Sequence, residues 1–180
     1  MIVSSGTIKA EAIEAIIERA IAGDEMAFAR IVAAHQDDMA RIAYLVSGSL
    51  EVAEDAVQAA WAIAWRRLGS LRDPTRLRPW LMSVAANEAR QLGRGNRSRR
   101  VRELAVGSGR QAADTDHAAL IDLANAVAAL DQGDRTLIGL RYIAGLDSAQ
   151  IGRELGLSAS GVRVRLHRLM NRLRQELGDD

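Results

Sequence analysis

The sequence predicts an all-α fold of two small helical domains joined by a flexible linker, and three observations carry that expectation. Apolar residues recur with helical spacing along most of the 180 residues. Only two prolines occur, Pro74 and Pro79, and Ala, Leu, Ile and Arg recur throughout, a composition that favours helix. Between Gly93 and Asp116 the apolar periodicity lapses while four glycines and two serines occur, which reads as a linker. Residues 1–92 then form the first domain, 93–117 the linker and 118–180 the second domain.

Each element follows from local signals. Ile13, Ile16, Ile17, Ala20 and Ile21 place a helix over Ile8 to Ala22, and Gly23-Asp24 reads as its stop and the next N-cap. A second helix runs from Glu25 to Ser47 and ends at Gly48-Ser49. A third, Leu50 to Arg67, carries an apolar stripe of Val57, Trp61, Ile63, Ala64 and Leu68. Asp73-Pro74 and Arg78-Pro79 disfavour helix at the residue before each proline, so Gly69 to Pro79 is expected to be irregular. The fourth helix then runs from Trp80 to about Leu92. Beyond the linker, Ala118 to Leu130, Arg135 to Ala144, Ser148 to Leu155 and Ser158 to Leu177 show helical spacing, separated by Asp131-Gln132-Gly133, Gly145-Leu146 and Gly156.

Composition excludes several chemistries. With no cysteine and three scattered histidines, His35, His117 and His167, neither a disulfide nor a thiolate metal site is expected, and no cofactor is implied. The N-terminus lacks a basic leader before an apolar run, and no stretch approaches the roughly 18 apolar residues needed to span a bilayer. The expectation is a cytoplasmic protein without membrane insertion. A net charge of +1 hides a strong asymmetry: Glu11 to Gln58 holds ten acids and three bases, whereas Arg90 to Arg102 holds six arginines and Arg163 to Arg174 five, both without an acid. The two basic segments are the ones suited to phosphate.

The most informative segment is SAQIGRELGLSASGVRVRLHRL, Ser148 to Leu169. Its apolar Ile151, small Gly152, apolar Leu155, turn residue Gly156, Leu157 and inward Val162 have helix-turn-helix spacing. Gly152 lets a second helix cross closely, Gly156 can adopt the left-handed turn conformation, and Ser158 can cap the following helix. Val162, Leu166, Leu169 and Leu173 fall on one stripe, which turns Ser160, Arg163, Val164 and His167 to the opposite side. Ser160, Arg163 and Val164 are placed to reach base edges in a major groove, and Arg165, His167, Arg168 and Arg172 to meet phosphates. Solvated surface on a helical bundle is the alternative reading of so basic a face.

The stretch DRTLIGLRYIAGLDSAQIGRELGLSASGVRVRLHRLMNRLRQEL resembles region 4 of the extracytoplasmic-function sigma factors of bacterial RNA polymerase. In the first domain GDEMAFARIVAAH, LEVAEDAVQAAWAIAWRRL and LRPWLMSVAANEARQL resemble successive helices of sigma region 2. The resemblance implies a sigma factor that catalyses no reaction itself. It binds core polymerase, through the clamp helices of the largest subunit and the flap region, and reads the -10 element with region 2 and the -35 element with region 4. It places Glu54, Asp55 and Gln58 on the core-binding helix, although those acids also suit the positive end of a helix dipole. It places Asn87, Arg90 and the Arg72 to Arg78 loop against the -10 strand, and adds Ser148 to the DNA-contacting set. A possible anti-sigma factor belongs to the same picture.

This chain departs from the family in two places. The loop RDPTRL lacks the aromatic residue often found there, and Gly152 stands where alanine is common, at an expected cost of about 1 kcal/mol in helix propensity with docking geometry unaltered. Trp61, Trp65 and Trp80 are read as core rather than stacking platforms. Three other classes compete. No glycine-rich phosphate loop or triad supports an enzyme. A stand-alone helix-turn-helix regulator would not bind core polymerase, and a protein-interaction adaptor would show negligible DNA affinity at any salt.

Overall fold

The computed structural model describes residues 5–95 and 115–178, and among them every regular element is helical. The first domain contains α1 (Ser5–Ile21), α2 (Glu25–Ser47), α3 (Leu50–Arg67) and α4 (Leu77–Gly95). The second contains α5 (Thr115–Ala129), α6 (Gln132–Ile138), a π turn (Gly139–Ile143), α7 (Ser148–Leu155) and α8 (Ala159–Leu177). The expected linker falls mostly on residues 96–114, outside the described residues; at its edges residues 93–95 continue α4 and Thr115 opens α5.

Helix boundaries follow the caps. Asp24 accepts the Ala27 amide at 3.0 Å to start α2, with Arg19 bridging the same carboxylate, and Gly48 closes α2 in the left-handed region at φ 64°. Ser49 then caps α3. Asp131, Asp147 and Ser158 do the same for α6, α7 and α8, Asp147 within a capping box shared with Gln150.

Two elements differ from expectation. The segment before α4 is ordered as two 3-10 turns, Leu68–Ser70 and Pro74–Arg76, and α4 begins at Leu77 rather than Trp80. Pro79 then sits in the first turn of α4, where the missing N–H has no intrahelical acceptor to lose. Asp73 sets this turn by accepting from the Thr75 amide at 3.0 Å and its hydroxyl at 2.6 Å. The expected helix Arg135 to Ala144 instead starts earlier, at the Asp131 cap, and widens into the π turn, closed by the Ala144 amide on the Gly139 carbonyl at 3.0 Å.

In the first domain α2, α3 and α4 pack together over fully buried Met39, Ile42, Val46, Leu81 and Met82. Ala43, Ala56, Ala60, Ala64, Ala85 and Ala89 are equally buried, and their small side chains let the helix backbones approach. Arg78 holds the start of α4 on α2 through Asp38, at 2.8 Å. The second domain has only a small cluster of its own, Leu130, Leu169 and Leu173 between α5 and α8. Its remaining buried residues, Leu137, Leu140, Ala144, Leu146, Ile151, Val162 and Leu166, join the core of the first domain, with α6 and the π turn lying on α2 and α4.

Four groups make stability depend on pH with one sign. The capping amides of Ala27 and Gln150 hold the Asp24 and Asp147 carboxyls below their usual value, Arg19 and Arg153 adding to the effect. Partial burial would raise Asp131, but the Asp134 amide and Arg165 more than offset it. Burial, with Arg78 beside it, lowers His35. All four folded values lie below the unfolded ones, so each contribution is complete above the unfolded value and is lost as pH falls through the folded one. Urea midpoints should therefore decline as pH drops below 6.5 for His35, and again below 3.8 for the caps. Asp131→Ala should cost about 1 kcal/mol near neutrality and Asp131→Asn, which can still cap, much less. Equal losses in the two variants would remove the capping explanation.

Candidate nucleic-acid interface

The helix-turn-helix is built by three local devices. The Gln150 side chain returns to the Asp147 amide at 2.8 Å and fixes the start of α7. Gly156 takes φ 69° at its end, a conformation with little cost only for glycine. Ser158 then accepts the Gly161 amide at 3.0 Å to start α8. The turn folds tightly over α7: the Leu157 amide donates to the Gly152 carbonyl at 2.8 Å, and a Cβ on Gly152 would lie 2.5 Å from the Leu157 carbonyl oxygen. Glycine is thus a steric requirement here: the close approach expected of Gly152 is present, and the expectation that its exchange with alanine leaves the geometry unaltered does not hold.

Val162, Leu166, Leu169 and Leu173 are all buried, so α8 presents its other side outward. Ser160, Arg163, Val164, His167 and Arg168 are exposed on it, Val164 to 49% although apolar. Among the described residues no carboxylate pairs with Arg163 or Arg168. Arg165 and Arg172 differ. Arg165 Nε donates to Asp134 Oδ1 at 2.8 Å, its guanidinium also reaches Asp131 at 3.4 Å, and Arg172 reaches the other oxygen of Asp134 at 3.4 Å. Asp134 is only 8% exposed, so these contacts satisfy a buried carboxylate and lock α8 onto the start of α6. Ser148 is half-buried at the first position of α7.

In the first domain Glu54, Asp55 and Gln58 are exposed together with Glu51 on one face of α3. Arg76 is exposed on the second 3-10 turn and Arg72 on the bend between the two turns, while Asn87 and Arg90 are half-buried further along α4. The tryptophans separate. Trp61 packs against the core and donates to Gln36 Oε1 at 2.5 Å, whereas Trp65 is 41% exposed and meets Phe28 edge-on, centroids 4.8 Å apart. Trp80 is half-buried and lines a cavity of about 330 Å³ with Arg72, Asp73 and Arg76. The core reading therefore holds for Trp61 and Trp80, both partly buried against the core, and fails for Trp65.

Sequence reasoning missed the ion-pair cluster of Asp131, Asp134, Arg165 and Arg172, and the contacts of Arg135. The Arg135 guanidinium donates to the Leu130 carbonyl at 2.7 Å and to the Val46 carbonyl of α2 at 3.2 Å. The only available signal was a basic residue following the acids of a capped helix start, too common to single out.

Comparison with known proteins agrees with this geometry. The sigma-70 region 2 family matches residues 31–100, and the sigma-70, region 4 family matches residues 120–173. The probable RNA polymerase sigma factor RfaY of Xanthomonas campestris pv. campestris is 31% identical over 89% of this chain, which spans 43% of that longer protein. The ECF RNA polymerase sigma factor SigL of Mycobacterium tuberculosis is 34% identical over 88% of this chain and 97% of its own length. Among solved structures, CnrH of Cupriavidus metallidurans in complex with the cytosolic domain of CnrY superposes with a TM-score of 0.64 at 28% identity, covering 92% of this chain and 96% of that one.

Gly152→Ala should destabilise the chain. Overpacking costs about 1–3 kcal/mol and exceeds the roughly 1 kcal/mol gained in helix propensity. Urea unfolding followed by circular dichroism should show a lower midpoint, and a midpoint equal to the parent's would mean that the turn yields freely.

Proposed function

The chain belongs to the extracytoplasmic-function group of the sigma-70 family and is an RNA polymerase sigma factor, and from that premise we propose how its surfaces divide the work. α8 lies in the major groove of the -35 element. Ser160, Arg163 and Val164, near its N-terminal end, meet base edges; Arg163 is suited to a guanine and Val164 to a thymine methyl. His167, Arg168 and Ser148 meet phosphates, and Arg165 does so only by exchanging its carboxylate partners for phosphate. The observation that carries this reading is the outward face of α8, exposed, basic and unpaired at Arg163 and Arg168 on a helix whose opposite stripe is fully used in packing.

The first domain takes the -10 element and the polymerase. Arg72 and Arg76, on the segment of 3-10 turns before α4, hold single-strand phosphates, and Asn87 and Arg90 extend that surface along α4. Trp80, partly buried at the edge of the core and lining the cavity beside Arg72 and Arg76, supplies the stacking surface that the loop itself lacks. Glu54, Asp55 and Gln58 on α3 dock on the clamp helices of the largest subunit, and the second domain meets the flap region; charge on α3 steers the encounter. The chain works in the cytoplasm and catalyses nothing itself. Among the described residues no helix is long and apolar enough to cross a membrane. CnrH was solved with a protein partner, and this chain too is proposed to bind an anti-sigma factor that holds it inactive.

Two substitutions test the division of labour. Arg163→Ala should cost about 1–3 kcal/mol at a cognate -35 element and relax its sequence preference. An unchanged preference would place Arg163 on phosphate. Reversing charge at Glu54 and Asp55 to Lys should weaken binding to core polymerase by about tenfold, most clearly at low salt, and leave duplex binding by the second domain intact. Full core affinity in that variant would move the docking surface off α3, and no core affinity in the parent chain would favour a stand-alone regulator.

A further inference from the structure

Five arginines lie between Arg163 and Arg174, and the fold treats them unequally. Arg165 and Arg172 stand seven residues apart, two turns of helix, so both border the buried stripe of α8 on the side that meets α6. One carboxylate receives both: Arg165 Nε donates to Asp134 Oδ1 at 2.8 Å and Arg172 to Asp134 Oδ2 at 3.4 Å. Asp134 lies in the first turn of α6 and is 8% exposed, so water cannot replace the two cations if they leave. Glu176, one turn beyond Arg172, adds a weaker hold at 4.0 Å. The seat of Arg165 is shaped as well as charged. Gly133 lies beneath its guanidinium, where a Cβ would stand 2.9 Å from Arg165 Nη2 and 3.1 Å from Asp131 Oδ1. Gly133 is helical and has no positive φ, so its backbone does not require glycine; the missing side chain leaves room for the guanidinium.

Generic attraction to duplex DNA comes from cations that displace counterions from phosphates, and it carries no sequence information. A guanidinium already neutralised inside the protein displaces none. We propose that Asp134 is a specificity-determining residue for promoter recognition: it withholds Arg165 and Arg172 from generic phosphate binding and leaves the outer face of α8 to decide where the chain binds, an inference that rests on the assignment of α8 to the -35 element. Asp134 acts by positioning and does not itself touch DNA. On a duplex without the element, phosphate competes for Arg165 against a carboxylate that is already in place. Where Ser160, Arg163 and Val164 hold α8 in the groove, a phosphate is kept opposite Arg165 and the exchange becomes favourable. Asp134 thus lowers affinity everywhere, and lowers it most on the wrong sequence.

The test uses the full chain assembled with core polymerase, titrated over a range of salt on two labelled duplexes, a promoter recovered by runoff transcription and a scrambled duplex of equal length. Asp134→Asn keeps the side-chain shape and removes the charge. It should bind the scrambled duplex about tenfold more tightly near 0.1 M salt, and its log affinity should fall with log salt more steeply by about 0.9 for each arginine freed. The promoter should gain less, so the ratio of promoter to scrambled affinity should fall. Asp134→Glu, which keeps the charge, should return the parent slope. Gly133→Ala keeps the carboxylate and gains helix propensity while lifting Arg165 alone from its seat, and should steepen the slope by about 0.9. If Asp134→Asn does not fold, Gly133→Ala decides by the same slope. Parental slopes in both variants overturn the proposal, and so does a folded Asp134→Asn that binds both duplexes more weakly, the result expected of a purely structural ion pair. Arg168→Ala separates this from failure of the α8 assignment. A slope flatter by about 0.9 in that variant keeps α8 on phosphate, so parental slopes in the other two then defeat only the role of Asp134. An Arg168→Ala slope equal to the parent's takes α8 off the DNA, and the inference falls with it.

Discussion

A helical unit as small as the second domain carries more apolar surface than its own helices can cover, and much of this chain's behaviour follows from where that surplus goes. Among the described residues its private cluster is built on three leucines, while Leu137 and Leu140, on α6 and the π turn, join the core that α2 and α4 share. Burying a leucine is worth about 1.5–3 kcal/mol, so a handful of such residues offsets the cost of holding two tethered domains together.

Charge is arranged on the opposite principle, kept apart instead of shared. The net charge of the chain is only +1, yet the acids of α3 and the arginines of α8 form two surfaces of opposite sign suited to two different partners. Within α8 a second sorting occurs. Arg165 and Arg172 neutralise the buried Asp134 and fasten the helix, whereas Arg163 and Arg168 stay unpaired on the outer face. A run of arginines that looks uniform in sequence therefore divides into structural and available cations, and only the fold distinguishes them.

What was legible in the sequence was what depends on neighbours along the chain. Asp24, Gly48, Ser49, Gly156 and Ser158 act on backbone groups within a few residues, so the limits of α2 and α3 and the form of the helix-turn-helix could be read directly. The start of α4 was misjudged because the restriction before proline is a tendency, and here Asp73 and the first-turn position of Pro79 outweigh it. The π turn, the Val46 contact of Arg135 and the partial exposure of Trp65 and Trp80 depend on elements distant in sequence, and no local pattern encodes them. Gly152 shows the limit of propensity reasoning, since the constraint is a carbonyl oxygen five residues away.

The most direct test of the account is runoff transcription from a library of genomic fragments with core polymerase, with and without this chain, followed by alignment of the transcribed start sites. The account predicts transcripts that core alone does not make, sharing two conserved blocks about 25 base pairs apart, or about 85 Å of duplex. No stimulation over core alone, or a single conserved block bound without transcription, would contradict it.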